Sequence, residues 1–475
     1  MMKSIKYLCC LLVLASCQGI LDKEPIAILD AGSFFQTEAD AILAINSAYQ
    51  PLLLNNQNKN FYWAFAEITS DEAITGGDGS RPGLTELDAF TYTPRTEEFN
   101  DFWRVQYTGI TQCNLVLDHL SEIEMPPSLS DRIEGEALFL RAYYYFYLVQ
   151  VFGDVPLFTR VLPPDELKVP GTPKADVYAQ IQLDCEQASQ LLPVSHPSSD
   201  LGRATVGAAL ALAAKAYLYE EKWTEVLQYI DRIHDLNIYE LVPDYGDNFR
   251  KETQNNSESV FEIQHANLEL EVGNFLNQWW TSKKVEGYGF AEVTEEFVNA
   301  FEPDDPRLGF TVAQNNEDYF GYIYKPSYSS TGYSPRKYLQ ADTAITQPAD
   351  GDINYTSIRF AEVLLWEAEA LTELGQVQDA QVPLERVRAR ARAQANDPAT
   401  ALPAITTTDQ NEMREAVRHE RMVELGFELH RFFDLVRWGV AADLLPGFQA
   451  GKHEVFPLPQ PELDLNSALV QNPGY

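Results

Sequence analysis

Cysteine, histidine and positive charge are scarce in this chain, and each scarcity removes a class of function. Five cysteines in 475 residues do not make a disulfide framework. Cys9, Cys10 and Cys17 lie at the extreme N-terminus, which leaves Cys113 and Cys185. Both fall in helical patterns, where a buried free thiol is the default, although a bridge between them stays open. The seven histidines are scattered and nothing has zinc-ligand spacing, so no metal site is read. No GxSxG elbow, HExxH or phosphate-cradling glycine loop occurs, and no cofactor is expected. Lys and Arg total 35 against 70 Asp and Glu, a formal charge of −35. A field of that sign repels polyphosphates, which excludes nucleic acid as a partner. Long apolar runs are missing too. The nearest, Ala137 to Phe152, falls short of the ~20 residues a membrane span needs and carries Arg141 and Gln150 inside it; it reads as a helix packed on all sides.

The N-terminus is the exception to this polar character. Lys3 and Lys6 form a positive head, and Tyr7 to Ala15 is a short apolar stretch with the proportions of a bacterial secretory signal. Leu14-Ala15-Ser16-Cys17 resembles a lipobox, the site at which a signal is cut and the new N-terminal cysteine is lipidated. Residues 1–16 are therefore expected to leave as a lipoprotein signal peptide, Cys17 to carry lipid, and 17–37 to form a tether. A single acyl chain anchors only marginally, so stable attachment needs a second chain or contact.

Beyond residue 37 the sequence reads as one large body, 38–475, built of paired helices. Ala204 to Glu221 with Trp223 to Leu236 is one clear pair; Ser357 to Leu374 with Val377 to Ala393 is another. Laying "AKAYLYEEKWTEVLQYIDRI" (214–233) over "AEALTELGQVQDAQVPLERV" (368–387) puts Ala214 on Ala368 and Ala216 on Ala370. It also matches Ile230 to Leu384 and Ile233 to Val387. Small residues on a first helix and a tight turn, at Glu221 or Gly375, resemble the tetratricopeptide helix–turn–helix. Two more degenerate pairs are read: Glu38 to Leu53 with Glu98 to Leu120, and Asp131 to Phe152 with Lys174 to Leu191. The helix pairs thus occupy about 38–120, 131–191, 204–236 and 357–393. A Gly-, Asn-, Asp-, Pro- and Tyr-rich insert covers about 240–350, and a shorter irregular stretch, Asp71 to Thr96, contains "TGGDGSRPG". In repeat scaffolds such excursions carry the variable chemistry.

Several segments are more specific. They are "SDE" (70–72), "FWRVQYTGITQCN" (102–114), "RAYYYFYLVQVFGDVPL" (141–157), "GRAT" (202–205) and "DDPR" (304–307). "RFAEVLLWEAEAL" (359–371), "RHERMVELGFELHRFFDLVRWG" (418–439) and "VFPLPQPELDLNSALVQNPGY" (455–475) follow in order. Together with the lipoprotein start they resemble the SusD/RagB family, outer-membrane nutrient-binding lipoproteins of the Bacteroidetes. Cys113 stands where that family usually has a small residue, and "ERVRARA" lacks the common Asn before its Arg-rich turn. The resemblance implies an all-α, SusD-like fold with four tetratricopeptide-like helix pairs and a loop-rich ligand-binding region. It further implies a SusC-like TonB-dependent transporter as partner, with most members binding glycans without cleaving them.

Individual residues divide into packing and candidate ligand contacts. Glu420, Glu424 and Glu428 recur every four residues among Arg418, Arg421, Arg431, Asp434 and Arg437. They read as charged pairs locking a packed helix that Gly439 ends. "DDPR" lacks EF-hand spacing and reads as a turn holding Arg307. The Tyr143–Tyr145 run reads as core. A sugar presents an apolar C–H face that aromatic rings stack on, and a rim of hydroxyls for polar side chains. Aromatics in polar loop sequence are therefore the candidates: Trp279, Trp280, Tyr288, Tyr319 and Tyr322. The tandem Trp279-Trp280 leads, one ring expected to pack and the other to face ligand. Asp78 and Arg81 are the polar candidates.

The combined reading is a non-catalytic, lipid-anchored outer-membrane protein facing the cell exterior. It would capture an oligo- or polysaccharide, of neutral type given the acidic balance, for the transporter. Three rivals remain: the same architecture binding peptides or another nutrient, a surface glycoside hydrolase, and a scaffold without a small ligand. Hydrolysis needs only two suitably spaced carboxylates, which seventy acidic residues leave open.

Overall fold

The computed structural model describes residues 34–55, 58–268, 270, 272–340 and 349–475. The signal peptide, the lipidation at Cys17 and most of the 17–37 tether lie outside the described residues. Helices dominate. In chain order the main ones are α1 (Glu38–Tyr49), α2 (Glu97–His119), α3 (Pro127–Phe152), α4 (Lys174–Leu191), α5 (Val206–Leu218) and α6 (Trp223–Leu236). After a long excursion come α7 (Phe360–Glu373), α8 (Val377–Arg392), α9 (Gln410–Leu425) and α10 (Arg431–Arg437). Each helix from α2 to α8 packs on its predecessor, and α7 also holds α9. The stack continues from α6 to α7 as though the intervening 123 residues were absent.

Local chemistry accounts for the helix ends. Thr37 and Asp40 exchange side-chain-to-backbone bonds in a capping box at α1, and the Thr205 hydroxyl accepts the Ala208 N–H at the start of α5. These caps satisfy donors that a helix leaves unpaired. Close approach of α2 to α3 depends on Gly109, where a β-carbon would lie 2.3 Å from the Tyr144 ring. The turns of the two clearest pairs correspond as the sequence overlay predicts. Glu221 has φ +57° and Gly375 φ +76°, left-handed at the same step between helices.

Helix α3 is the axis of the core, buried continuously from Gly135 to Phe152. Its polar groups are matched. Arg141 donates to both Asp184 oxygens at 2.8 Å and to Asn114 at 2.9 Å. The Tyr144 hydroxyl donates to the Ala48 carbonyl at 2.7 Å, and Tyr143 shares a 2.8 Å bond with Ser357. The Tyr145 hydroxyl accepts from the Phe158 amide at 2.6 Å. The tyrosine run is packing, as its sequence context suggests. Cys113 and Cys185 are buried free thiols, pushed well above the usual thiol range by that burial. Among the described residues, no helix is long and apolar enough to cross a membrane.

The excursion between α6 and α7 is less irregular than its composition suggests. It contains three short helices (Leu276–Trp280, Glu295–Ala300, Arg307–Thr311) and most of eight short strands. The strands are β1 (Ala73–Thr75), β2 (Ser259–Ile263), β3 (Ala291–Val293), β4 (Val312–Ala313), β5 (Asp318–Tyr319), β6 (Tyr322–Ile323), β7 (Ser334–Pro335) and β8 (Tyr355–Arg359). They form four antiparallel pairs: β1–β3, β2–β8, β4–β7 and β5–β6. β2–β8 closes the base of the excursion. Residues 357–359, read as the start of a helix, are instead the end of β8.

The excursion is bound to the helices by a buried ionic network. Arg359, on β8, donates to both oxygens of Glu428 at 2.7 and 2.9 Å and to Glu258 at 2.8 Å. It also pairs with Glu424, which receives Arg390 from α8 and Arg307 from the "DDPR" turn. Arg307 and Arg388 share Glu420 at 2.6 and 2.8 Å, and Lys337 meets Glu428 at 2.7 Å. Burial alone would raise Glu424, but Arg390, Arg359 and Arg307 overcome it and hold the carboxyl well below the usual carboxylate range. Removing one partner from such a buried set costs about 3–5 kcal/mol, because the others stay desolvated and unpaired.

One detail departs from the single helix read over 418–439. The chain breaks after Leu425, with Phe427 and Leu429 in left-handed conformations (φ +59° and +68°), so Glu428 lies past the end of α9. The break is held from below. The Leu429 amide donates to Glu67 at 2.6 Å and the Phe427 amide to Glu72 at 3.1 Å. Gly439 (φ +69°) does end α10, with the Val440 amide bonded back to the Leu435 carbonyl.

Gly375 has open space around its α-carbon, so Gly375→Ala tests backbone strain alone. A loss of about 1 kcal/mol is expected by urea denaturation, while Glu221→Gly is neutral or slightly stabilising. Burial, only partly offset by the Leu429 amide and Lys337, raises Glu67 from 4.5 to about 8, and Glu72 moves the same way. A carboxyl raised in the folded state contributes stability that is full below about pH 4.5 and is lost as pH rises through about 8. Glu67→Gln keeps the acceptor for Leu429 and removes that ionisation. Its thermal midpoint should fall less than wild type between about pH 6 and pH 9.

Candidate functional site

The antiparallel pair β1–β3 brings two loops together from distant parts of the chain. Ala73, Ile74 and Thr75 face Val293, Glu292 and Ala291, and the Gly76 amide extends the ladder to the Phe290 carbonyl at 3.0 Å. The glycine-rich loop after β1 is thereby placed against the segment before β3. That segment folds back on the short helix Leu276–Trp280. The Tyr288, Gly289 and Phe290 amides donate to the carbonyls of Gln278, Thr281 and Trp279 at 2.7–2.8 Å.

Between the two loops lies a cleft of about 560 Å³, lined by Asp78, Ser80, Arg81, Trp279, Lys283, Gly287, Tyr288 and Phe290. This is within the ~300–1,000 Å³ of small-molecule sites. Its floor is aromatic: Trp279, 2% exposed, stacks on Trp63 at 5.3 Å and Phe61 at 5.8 Å and tilts against Phe275 at 5.0 Å. At the rim Tyr288 is 43% exposed and leans on Phe290, ring centres 5.2 Å apart. The polar wall is already oriented. Asp78 forms an ion pair with Lys283 and accepts the Ser80 amide at 3.1 Å; these bonds, Lys283 first, hold its carboxyl well below the usual range. The Arg81 guanidinium lies 4.6 Å over the Phe61 ring and 3.5 Å from Glu98. Asp78 is the one carboxylate among the lining residues.

Four of the seven residues singled out in the sequence, Asp78, Arg81, Trp279 and Tyr288, therefore meet in one cleft. The other three do not line it. Trp280 is fully buried against Trp63 and Phe427, so the tandem tryptophans do not divide into one packed and one open ring. Both pack, and Trp279 only borders the cleft. Tyr319 is fully buried between Phe320 and Tyr324, because the β5–β6 hairpin turns it inward. Its cross-strand partner Tyr322 is exposed on that hairpin. Ser80, Gly287 and Phe290 were not anticipated. Both Tyr288 and Phe290 stand in the segment "YGF" that leads into β3, and their proximity in sequence is the signal that would have placed Phe290 at the site.

Comparison with known proteins bears on the same geometry. A family model described as "SusD family" matches residues 247–453, and one described as "Starch-binding associating with outer membrane" matches 36–218. SusD-like protein P2 of Formosa agariphila is 27% identical over 99% of both chains. The chain belongs to the SusD/RagB family. Solved SusD-like structures superpose closely. A laminarin-binding SusD-like protein has a TM-score of 0.80 at 29% identity, covering 93% of this chain and 100% of its own. A SusD-like carbohydrate-binding protein of Bacteroides fragilis has a TM-score of 0.83 at 25% identity, covering 92% and 100%. The all-α SusD-like fold is thus established, and helix pairs of tetratricopeptide type are consistent with it. The cleft draws on both matched spans of the SusD/RagB chain, Asp78 to Arg81 from the first and Trp279 to Phe290 from the second.

Truncation should separate floor from rim. Trp279→Ala and Trp280→Ala are each expected to destabilise by about 3–5 kcal/mol through the cavity they leave. Tyr288→Ala, at a half-exposed position, should cost less than about 1 kcal/mol. Urea denaturation of the three variants checks the division.

Proposed function

We propose that this chain is a cell-surface glycan-binding lipoprotein. It captures a neutral oligo- or polysaccharide in the Tyr288 cleft and delivers it to a SusC-like TonB-dependent transporter. The observation that carries the reading is the construction of the cleft. A half-exposed aromatic stands beside Arg81, held against Phe61 and Glu98, and beside the exposed Asp78–Lys283 ion pair. A sugar ring laid on Tyr288 presents its hydroxyls to the Asp78, Arg81 and Lys283 side chains. The similar laminarin-binding SusD-like protein supports a glycan as ligand, and the lipobox at Cys17 supports attachment to the outer membrane.

Binding without cleavage fits the same residues. Glycoside hydrolysis takes two carboxylates flanking the bond, and Asp78, the carboxylate that lines the cleft, is engaged by Lys283. Trp279 contributes by keeping the floor flat and dry. Trp280 and Tyr319 have no part in ligand contact in this reading.

Isothermal titration with laminarin, starch and peptide mixtures tests the proposal. Wild type is expected to bind a glycan, and Tyr288→Ala to weaken that binding at least about tenfold with its stability retained. Peptide-only binding would replace the glycan with the rival nutrient. Release of reducing sugar from the bound glycan by purified protein would overturn the non-catalytic reading.

A further inference from the structure

We propose that the cleft continues across Ser80 and Arg81 into a second, polar cleft that reads the length or branching of the glycan. This inference rests on the glycan-binding reading above. The second cleft encloses about 500 Å³ and shares Ser80 and Arg81 with the first, so these two residues form a partition with a pocket on either side. The Arg81 half of the partition is held in place. Arg81 is stacked on Phe61 and paired with Glu98, whose side chain is itself buried.

The two clefts differ in chemistry. The first has Trp279, Tyr288 and Phe290; the second has no aromatic residue in its lining. It therefore suits hydroxyl groups rather than ring faces. Its wall supplies both halves of a diol-binding set. The Glu86 carboxylate is fixed by the Thr96 hydroxyl at 2.5 Å. The guanidinium of Arg95 is exposed and holds no ion pair among the described residues. Carboxylate and guanidinium each bond two neighbouring hydroxyls. Carboxylates outnumber guanidinium groups along this wall, which disfavours a polyanion and selects a neutral, hydroxyl-rich extension. A chain held on Tyr288 that passes over Ser80 and Arg81 would place its next units, or a branch, against Glu86 and Arg95.

Affinity measured against chain length tests this, with ladders of β-1,3- and α-1,4-linked gluco-oligosaccharides as probes and purified protein as receptor. Wild-type affinity should keep rising beyond the length that fills the first cleft. Arg95→Ala, an exposed change, should lose about tenfold on the longest members and nothing on the shortest. Tyr288→Ala should weaken every length. A wild-type affinity flat with length overturns the second cleft while leaving the first intact. So does an Arg95→Ala variant whose loss is the same at every length, or zero throughout. Failure of the wild type to bind either ladder overturns the glycan reading and this extension with it.

Discussion

The buried set of guanidinium and carboxylate groups around Arg359, Glu424 and Glu428 is the constraint on which the rest of this structure depends. Desolvating that many charges is tolerable only when every one is met, because an isolated buried charge costs several kcal/mol. The condition is strict: Arg307 and Lys337 come from the excursion, Arg359 from β8, Arg388 and Arg390 from α8, and Glu420 and Glu424 from α9. Arg307 is met within its own turn by Asp305, but Glu420, Glu424 and Glu428 each take cations from two or more of these elements. The excursion, the strand that closes it and the last helices must therefore assemble together, in one relative placement.

That placement reaches the cleft through a short physical chain. The network fixes the end of α9 and Glu428, and the broken turn beyond it presents its amides to Glu67 and Glu72. Glu67 lies in a π-helical turn (Ala64–Ile68) and Glu72 immediately precedes β1, and β1 pairs with β3. The same turn places Phe427 against Trp280, and Trp63, just before the π-helical turn, lies under Trp279. The cleft floor is thus continuous with the charged core. In the proposed binding role, a floor held in this way lowers the conformational entropy lost when ligand is taken up.

Much of this was legible locally and some of it was not. The Ala214/Ala368 overlay and the turns at Glu221 and Gly375 could be read because helix periodicity and left-handed turns are written within a few residues of themselves. Asp78, Arg81 and Tyr288 could be read because charged and aromatic side chains in glycine-rich sequence have few ways to be buried. Trp280 and Tyr319 could not, since the direction of a side chain on a five-residue helix or a two-residue strand is set by what packs behind it. The helix break at Gly426 was invisible for a related reason. Phe427 and Leu429 are poor left-handed residues on their own, and what holds them there is a pair of carboxylates far upstream.

The return of the chain to the helix stack has a consequence for how such a molecule can be altered. Because α7 lies against α6 and β8 against β2, the excursion leaves and re-enters the scaffold at neighbouring points, the geometry in which whole segments can be exchanged between homologues. The ionic core narrows that freedom. A transplanted segment that failed to supply counterparts of Arg307 and Lys337 would leave three glutamates short of cations in the interior. Exchange at this junction is thus constrained by charge before loop shape: an insert must bring inward a set equivalent to Arg307, Lys337 and Arg359 with Asp305 and Glu258.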